Sequence, residues 1–181
     1  MKESTEEDKI LVQEFIDGKE EAFNRLMIKY QRKVYSIARK MLGDHDEAND
    51  VSQEVFLVVY NKLKGFRFES SFYTWIYRIT VTRSLNAIKK NKLRRFFGFG
   101  NDNQPEIRTE EGVTGAMESK EEFAKLEKSL QKLPAKQREV FILRHFEELS
   151  YEEISQITQT SVGALKANYF HAFNKIEQLM R

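Results

Sequence analysis

The stretch "FRFESSFYTWIYR", Phe66 to Arg78, places six aromatic residues in its first twelve positions: Phe66, Phe68, Phe72, Tyr73, Trp75 and Tyr77. Such a concentration of rings beside Arg67 and Arg78 is either a folding core or a platform for flat ligands. Spacing separates the two. Phe72, Trp75, Ile76, Ile79 and Ile88 recur at helical intervals, so "FYTWIYRITVTRSLNAIKKNK" predicts a helix capped by Ser71, with these residues as its inner stripe. Phe66 and Phe68 precede it in a loop around Lys64–Ser70, outside that stripe, and are the better candidates for a platform.

Working outward, the same periodicity continues on both sides. Ser4 and Glu7 form a candidate capping box for a helix ending near Asp17, with Gly18 as its stop. Ala22, Phe23, Leu26, Met27, Tyr30, Val34, Ile37, Ala38 and Met41 define a second helix that Gly43 ends. A third opens near Asp46 and buries Ala48, Val51, Val55, Val58 and Val59. From Leu93 to about Ser119 the period fails, and Gly, Asn, Pro and acidic residues read as a linker. Its opening rings, Phe96, Phe97 and Phe99, are apolar enough to dock on a surface.

Beyond it, "SKEEFAKLEKSLQKL" and "AKQREVFILRHF" are amphipathic runs separated by Pro134, a good helix starter. Ser150 and Glu153 form a capping box, "TQT" makes a turn, and Ser161 caps a longer helix that buries Val162, Leu165, Tyr169, Ala172, Ile176 and Leu179. Short helix, turn and longer helix is the helix-turn-helix pattern. The expected fold is all-α: a helical domain over residues 1–95, a flexible linker over 96–119 and a helix-turn-helix domain over 120–181. With 2 Pro and 8 Gly in 181 residues, few breakers oppose this.

Charge is distributed unevenly. Residues 62–95 carry ten basic side chains and one acidic, Glu69, whereas residues 102–122 carry two basic and seven acidic. The first block is the footprint of a polyanion partner more than a solubility device, because the aromatics lie inside it. No apolar run is long enough to span a membrane, and the acidic N-terminus lacks a signal-peptide core. The chain has no cysteine, so it has no disulfide and no thiolate metal site, and a cytoplasmic address is expected. His45, His145 and His171 are scattered, and no phosphate loop or nucleophile motif occurs. No catalytic residue, metal ligand or cofactor is expected. On the third helix, Asp50, Glu54 and Asn61 share a face with Gln53 beside them, either a solvated face or a docking face for a basic partner.

These motifs together resemble the extracytoplasmic-function (ECF) sigma factors of the sigma-70 superfamily. "DVSQEVFLVVY" is similar to the family's Asp-x-x-Gln-Glu-x-Phe-x-x-x-Tyr at Asp50, Gln53, Glu54, Phe56 and Tyr60. "FYTWIYRI" is similar to Phe-x-x-Trp-Leu-x-x-Ile at Phe72, Trp75, Ile76 and Ile79. "LPAKQREVFILRHFEELSYEEISQI" and "SVGALKANYFHAF" resemble its promoter-reading helix-turn-helix. The resemblance implies a subunit that directs core RNA polymerase to promoters and nucleates melting. It implies that Asp50, Gln53 and Glu54 meet the clamp coiled coil of the polymerase, with the flap as a further contact. The minus-ten element would fall to Phe66, Arg67, Phe68, Tyr73, Trp75, Tyr77, Arg78, Thr82, Arg83, Lys89 and Lys90. The loop would capture a flipped base among rings, and the cations would hold phosphates. The minus-thirty-five element would fall to Arg144, Ser161, Lys166, Ala167, Asn168, Phe170 and His171, with Phe170 either in the groove or packed on the preceding helix. Promoter DNA and an anti-sigma factor, membrane-bound or not, are the other implied partners.

The chain departs from the family pattern at Thr82 and Asn86, where Asn and Asp are frequent. It departs again at Gly163–Asn168 and His171, where family arginines are missing and Asn168 could favour adenine. Gln159 occupies the turn where helix-turn-helix units often carry Gly. Two rivals are a stand-alone helix-turn-helix regulator, which binds DNA without polymerase, and a sigma-like decoy for an anti-sigma factor, which needs no DNA surface.

Overall fold

A computed structural model describes residues 6–98 and 117–181, which form eight α-helices and one π-helical turn with no strand among the described residues. The first half comprises α1 (Glu6–Ile16), α2 (Glu20–Leu42), α3 (His45–Leu63) and α4 (Phe72–Phe96). The second comprises α5 (Met117–Gln131), α6 (Ala135–Phe141), a π-turn (Ile142–Phe146), α7 (Tyr151–Thr158) and α8 (Val162–Met180). The proposed cap at Ser4, the ring of Phe99 and most of the expected linker lie outside the described residues.

The starts and stops have local causes. Ser71 Oγ accepts from the Thr74 N–H at 3.1 Å, and Asp44 Oδ1 accepts from the Glu47 N–H at 2.8 Å, each satisfying an orphan donor of a first turn. At α7 the capping box is complete: the Glu153 carboxylate accepts from the Ser150 N–H at 2.8 Å, and Ser150 Oγ accepts from the Glu153 N–H at 3.2 Å. Gly43 ends α2 at φ +77°, a conformation strained for other residues, and a Cβ there would have to displace the Gln131 side chain. Gln159 takes the left-handed conformation at φ +56° that the sequence pattern reserves for glycine.

Three details differ from the sequence reading. Helix α4 runs on to Phe96, one turn past the point where periodicity fails, because solvated Arg94 and Arg95 continue a helix without an apolar stripe. The run after Pro134 loses α geometry at Ile142 and continues as the π-turn. Val58 is only half-buried, since the α3 stripe follows Val51, Val55 and Val59 at intervals of four and leaves it off axis.

The main core joins the two halves. Phe15, Leu26, Val34, Ile37, Met41, Val55, Phe72 and Ile76 are continuous with Ile142, Leu143, Leu149, Ile154, Ile157 and Leu165. A smaller core of Leu130, Leu133, Phe141, Ala172 and Ile176 belongs to α5, α6 and α8. The seam is polar at its rim. The buried Arg138 guanidinium donates to the Met41 carbonyl at the end of α2, to Gln131 Oε1, to the Gln131 carbonyl at 3.0 Å and to the Leu133 carbonyl at 3.2 Å. Gln131 Nε2 donates to the Lys40 carbonyl at 3.0 Å. One arginine thus closes open carbonyls on both sides of the seam.

Candidate nucleic-acid and protein interfaces

Three surfaces gather the residues that the sequence singled out. On α3, Asp50, Gln53 and Glu54 are exposed on one face. Glu54 Oε2 lies 3.7 Å from Arg83 Nη1, an open ion pair of small energetic weight that a partner can displace. Beside it runs a feature the sequence reading missed, an apolar groove of about 810 Å³ between α2 and α3. Phe23, Met27, Phe56, Leu57 and Tyr60 line it together with Gln53. Leu57 is 62% exposed. The signal was present, since Leu57 is an apolar residue out of phase with the α3 stripe.

The second surface is the loop before α4. Phe66 is half-buried, its ring 5.1 Å from Trp75, 5.1 Å from Phe68 and 6.3 Å from Phe72. Phe68 is held at φ +57° and stays 42% exposed. A non-glycine residue in the left-handed region is uncommon and costs backbone energy, which here turns its ring outward. Beside this loop an open recess of about 490 Å³ is lined by Lys62, Phe66, Arg67, Ser70, Trp75 and Arg78, with Glu69 as its one acidic residue. Rings and cations around one recess suit a stacked base beside its phosphate. Thr82, Lys89 and Lys90 are exposed further along α4.

Tyr73 and Tyr77 are placed differently from the other rings of that stretch. Both are buried, turned from the recess toward the second half of the chain. The Tyr73 hydroxyl donates to Glu153 at 2.7 Å and the Tyr77 hydroxyl donates to Glu147 at 2.9 Å. Burial foremost, then the facing carboxylate, pushes each phenol well above its usual pKa, so both remain donors. Arg78 Nη2 donates to the Gln156 carbonyl at 2.6 Å. The sequence reading gave Glu153 only its capping role and missed Glu147, Glu153 and Gln156 as partners of these side chains, because residues seventy to eighty positions apart leave no local pattern.

The third surface is the helix-turn-helix. Ser161 Oγ accepts from the Ala164 N–H at 3.4 Å and so caps α8. Lys166, Ala167, Phe170 and His171 are exposed, and Asn168 is half-buried toward one side. Phe170, open to either role in the sequence, is 61% exposed and not packed on the preceding helix. Arg144 donates to the Leu149 carbonyl at 2.8 Å and lies 5.2 Å from the Tyr151 ring centroid, so it holds the turn before α7. Lys166 Nζ stands 5.8 Å from the same ring.

Two of the three histidines are engaged within the fold. His45 bonds the Tyr35 hydroxyl and Asn49, and His145 stacks on Phe141. No group of side chains suited to a metal ion occurs among the described residues. No helix among them is long and apolar enough to cross a membrane.

Comparison with known proteins agrees with this layout. Residues 26–94 match the family model of Sigma-70 region 2, and residues 123–176 match that of Sigma-70, region 4. The chain is 32% identical to the RNA polymerase sigma-H factor of Pseudomonas aeruginosa over 187 residues, 97% of this chain and 95% of that protein. It is 31% identical to the ECF RNA polymerase sigma-E factor of Escherichia coli over 185 residues, 96% of each. Among solved structures, CnrH in complex with the cytosolic domain of CnrY superposes with a TM-score of 0.70 at 22% identity, covering 97% of both chains. The sigma factor RpoE of Bartonella quintana, in complex with the anti-sigma factor NepR, gives 0.74 at 21% identity over 87% of this chain and 96% of that one.

Proposed function

We propose a division of labour for a chain that belongs to the sigma-70 family, as an RNA polymerase sigma factor of the ECF type. A sigma factor of this type directs core RNA polymerase to specific promoters and nucleates their melting. The exposed face of α3, through Asp50, Gln53, Glu54 and the apolar groove beside them, docks on the core enzyme. The recess behind Phe66 takes a base flipped out of the minus-ten element, and Arg67, Arg83, Lys89 and Lys90 hold the backbone. Helix α8 enters the major groove of the minus-thirty-five element. By likeness to the complexes of CnrH and RpoE, an anti-sigma factor is the other protein partner.

The observation that carries this assignment is the ring-and-cation recess on the segment that matches region 2, joined in one chain to an exposed recognition helix on the segment that matches region 4. In vitro transcription from a set of promoters, with purified core enzyme and with or without this chain, tests it. Promoter-specific transcripts are expected only with the chain present. Binding to a specific operator without polymerase would favour the stand-alone regulator instead.

Two substitutions separate the roles. Glu54→Arg frees Arg83 and reverses charge on an exposed face, so affinity for the core enzyme is expected to fall about tenfold with the thermal midpoint unchanged. Unaltered affinity would move the docking face elsewhere. Phe66→Ala removes the inner wall of the recess. With stacking worth about 1–3 kcal/mol per base, promoter opening followed by permanganate reactivity should drop about 5- to 150-fold. Binding to closed duplex should change far less. Equal losses in both would place Phe66 in the fold and not in base capture.

A further inference from the structure

Tyr151 opens α7 half-buried, and its ring gathers side chains from the π-turn and from α8. The Arg144 guanidinium, on the π-turn, lies 5.2 Å from the ring centroid, and Lys166 Nζ, near the start of α8, lies 5.8 Å from it. The ring itself is fixed from other sides. Tyr169 meets it edge-on at 6.3 Å and in turn stacks at 5.9 Å on the buried Phe141. Tyr151 also packs against the main core, so a firmly seated ring lies among long, flexible cations.

The two cations depend on that ring unequally. Arg144 has a second anchor, since its Nη1 donates to the Leu149 carbonyl at 2.8 Å. Lys166 is exposed, and its ammonium ends a flexible four-carbon stem. An ammonium within about 6 Å of a ring face is attracted by the negative charge of the π-cloud. A carboxylate partner would neutralise Lys166 and would have to be surrendered on binding DNA. A ring face does neither: it holds the ammonium from one side and leaves N–H donors and the full charge for the groove. Ordering the side chain beforehand also lowers the entropy lost on binding.

We propose that Tyr151 is a positioning residue of the helix-turn-helix, whose ring face orders Lys166 in advance for the minus-thirty-five element. This rests on the sigma-factor reading above, in which α8 enters the major groove, and adds a residue on α7 that acts through a side chain of α8. Support of the fold is the competing role of the same ring, and the test separates them.

Holoenzyme reconstituted from the full chain is measured for affinity to a promoter that the native holoenzyme selects. Position 151 carries tyrosine, then phenylalanine, then phenylalanine with one, two and three ring fluorines. Fluorine drains charge from the ring face at nearly constant shape, so a purely structural role does not respond to it. Tyr151→Phe should stay within about 1.5-fold of the native chain, and affinity should fall about two- to fivefold across the fluorinated series. In a Lys166→Met background the same series should be flat. A flat series with Lys166 in place overturns the proposal. So does a slope that survives Lys166→Met, which would assign the ring to Arg144, to the fold or to DNA contact of its own. Tyr151→Phe that already shows the whole loss overturns it as well, because the hydroxyl and not the ring face would then matter. A chain that never joins the core enzyme would sink the sigma-factor reading itself, a result seen with the native chain before any ring is changed.

Discussion

Cross-linking Ser70→Cys to Glu152→Cys is expected to yield a chain that binds core polymerase and cannot open promoter DNA. Ser70, in the loop before α4, and Glu152, on α7, line the same cleft between the two halves. The chain has no native cysteine, so a maleimide linker with a reducible centre joins only the introduced pair. Within the fold Tyr73, Tyr77 and Arg78 are engaged by Glu153, Glu147 and the Gln156 carbonyl. On the proposed reading, in which α4 meets the minus-ten element, these bonds are exchanged on promoter engagement, and the linker prevents the exchange. Asp50, Gln53 and Glu54 stay exposed throughout, which is why docking on the core enzyme should survive. Transcription should fall to the level set by the unlinked fraction and return on reduction. Linked chain that melts the minus-ten element as well as unlinked chain would show that DNA is engaged without the halves parting.

Replacing Arg138 with methionine should lower stability by about 2–4 kcal/mol. The guanidinium is buried and satisfies carbonyls at the ends of α2 and α5, and methionine keeps the bulk while leaving those acceptors without donors. Desolvation lowers the Arg138 pKa to about 10, so the group is still charged near neutrality and its burial has a cost of its own. That cost is relieved in the variant, which keeps the expected loss below the sum of the lost bonds. For a chain of this size the midpoint of thermal unfolding, followed by far-ultraviolet circular dichroism, should fall by about 5–15 °C. A shift under about 2 °C would mean that water replaces the guanidinium at the seam.

Much of the architecture was legible before any coordinates. The helix starts at Ser71, Ser150 and Ser161 are short-range events, since a hydroxyl meets an N–H three positions on, and such rules are written in neighbouring residues. Gly43 marked the end of α2 for the same reason. The face of Asp50, Gln53 and Glu54 followed from helical spacing alone. The apolar groove beside it was harder to see, because it is assembled from α2 and α3 together.

The aromatic stretch shows where the two kinds of information part. Alternation of rings and cations in "FRFESSFYTWIYR" determined that this segment carries both core and contact surface, and periodicity assigned Phe72 and Ile76 to the interior, where they are buried. It could not sort Tyr73 and Tyr77 from Phe66 and Phe68, because a helix has two sides and the sequence does not say what packs on the second. The tertiary structure decided that: α7 and the segment before it lie against α4, and two phenols find carboxylates from distant parts of the chain. Local order is set by interactions within a few residues and can be read along the chain. A seam between two helical bundles is set by which surfaces fit, and only the folded molecule brings those surfaces together.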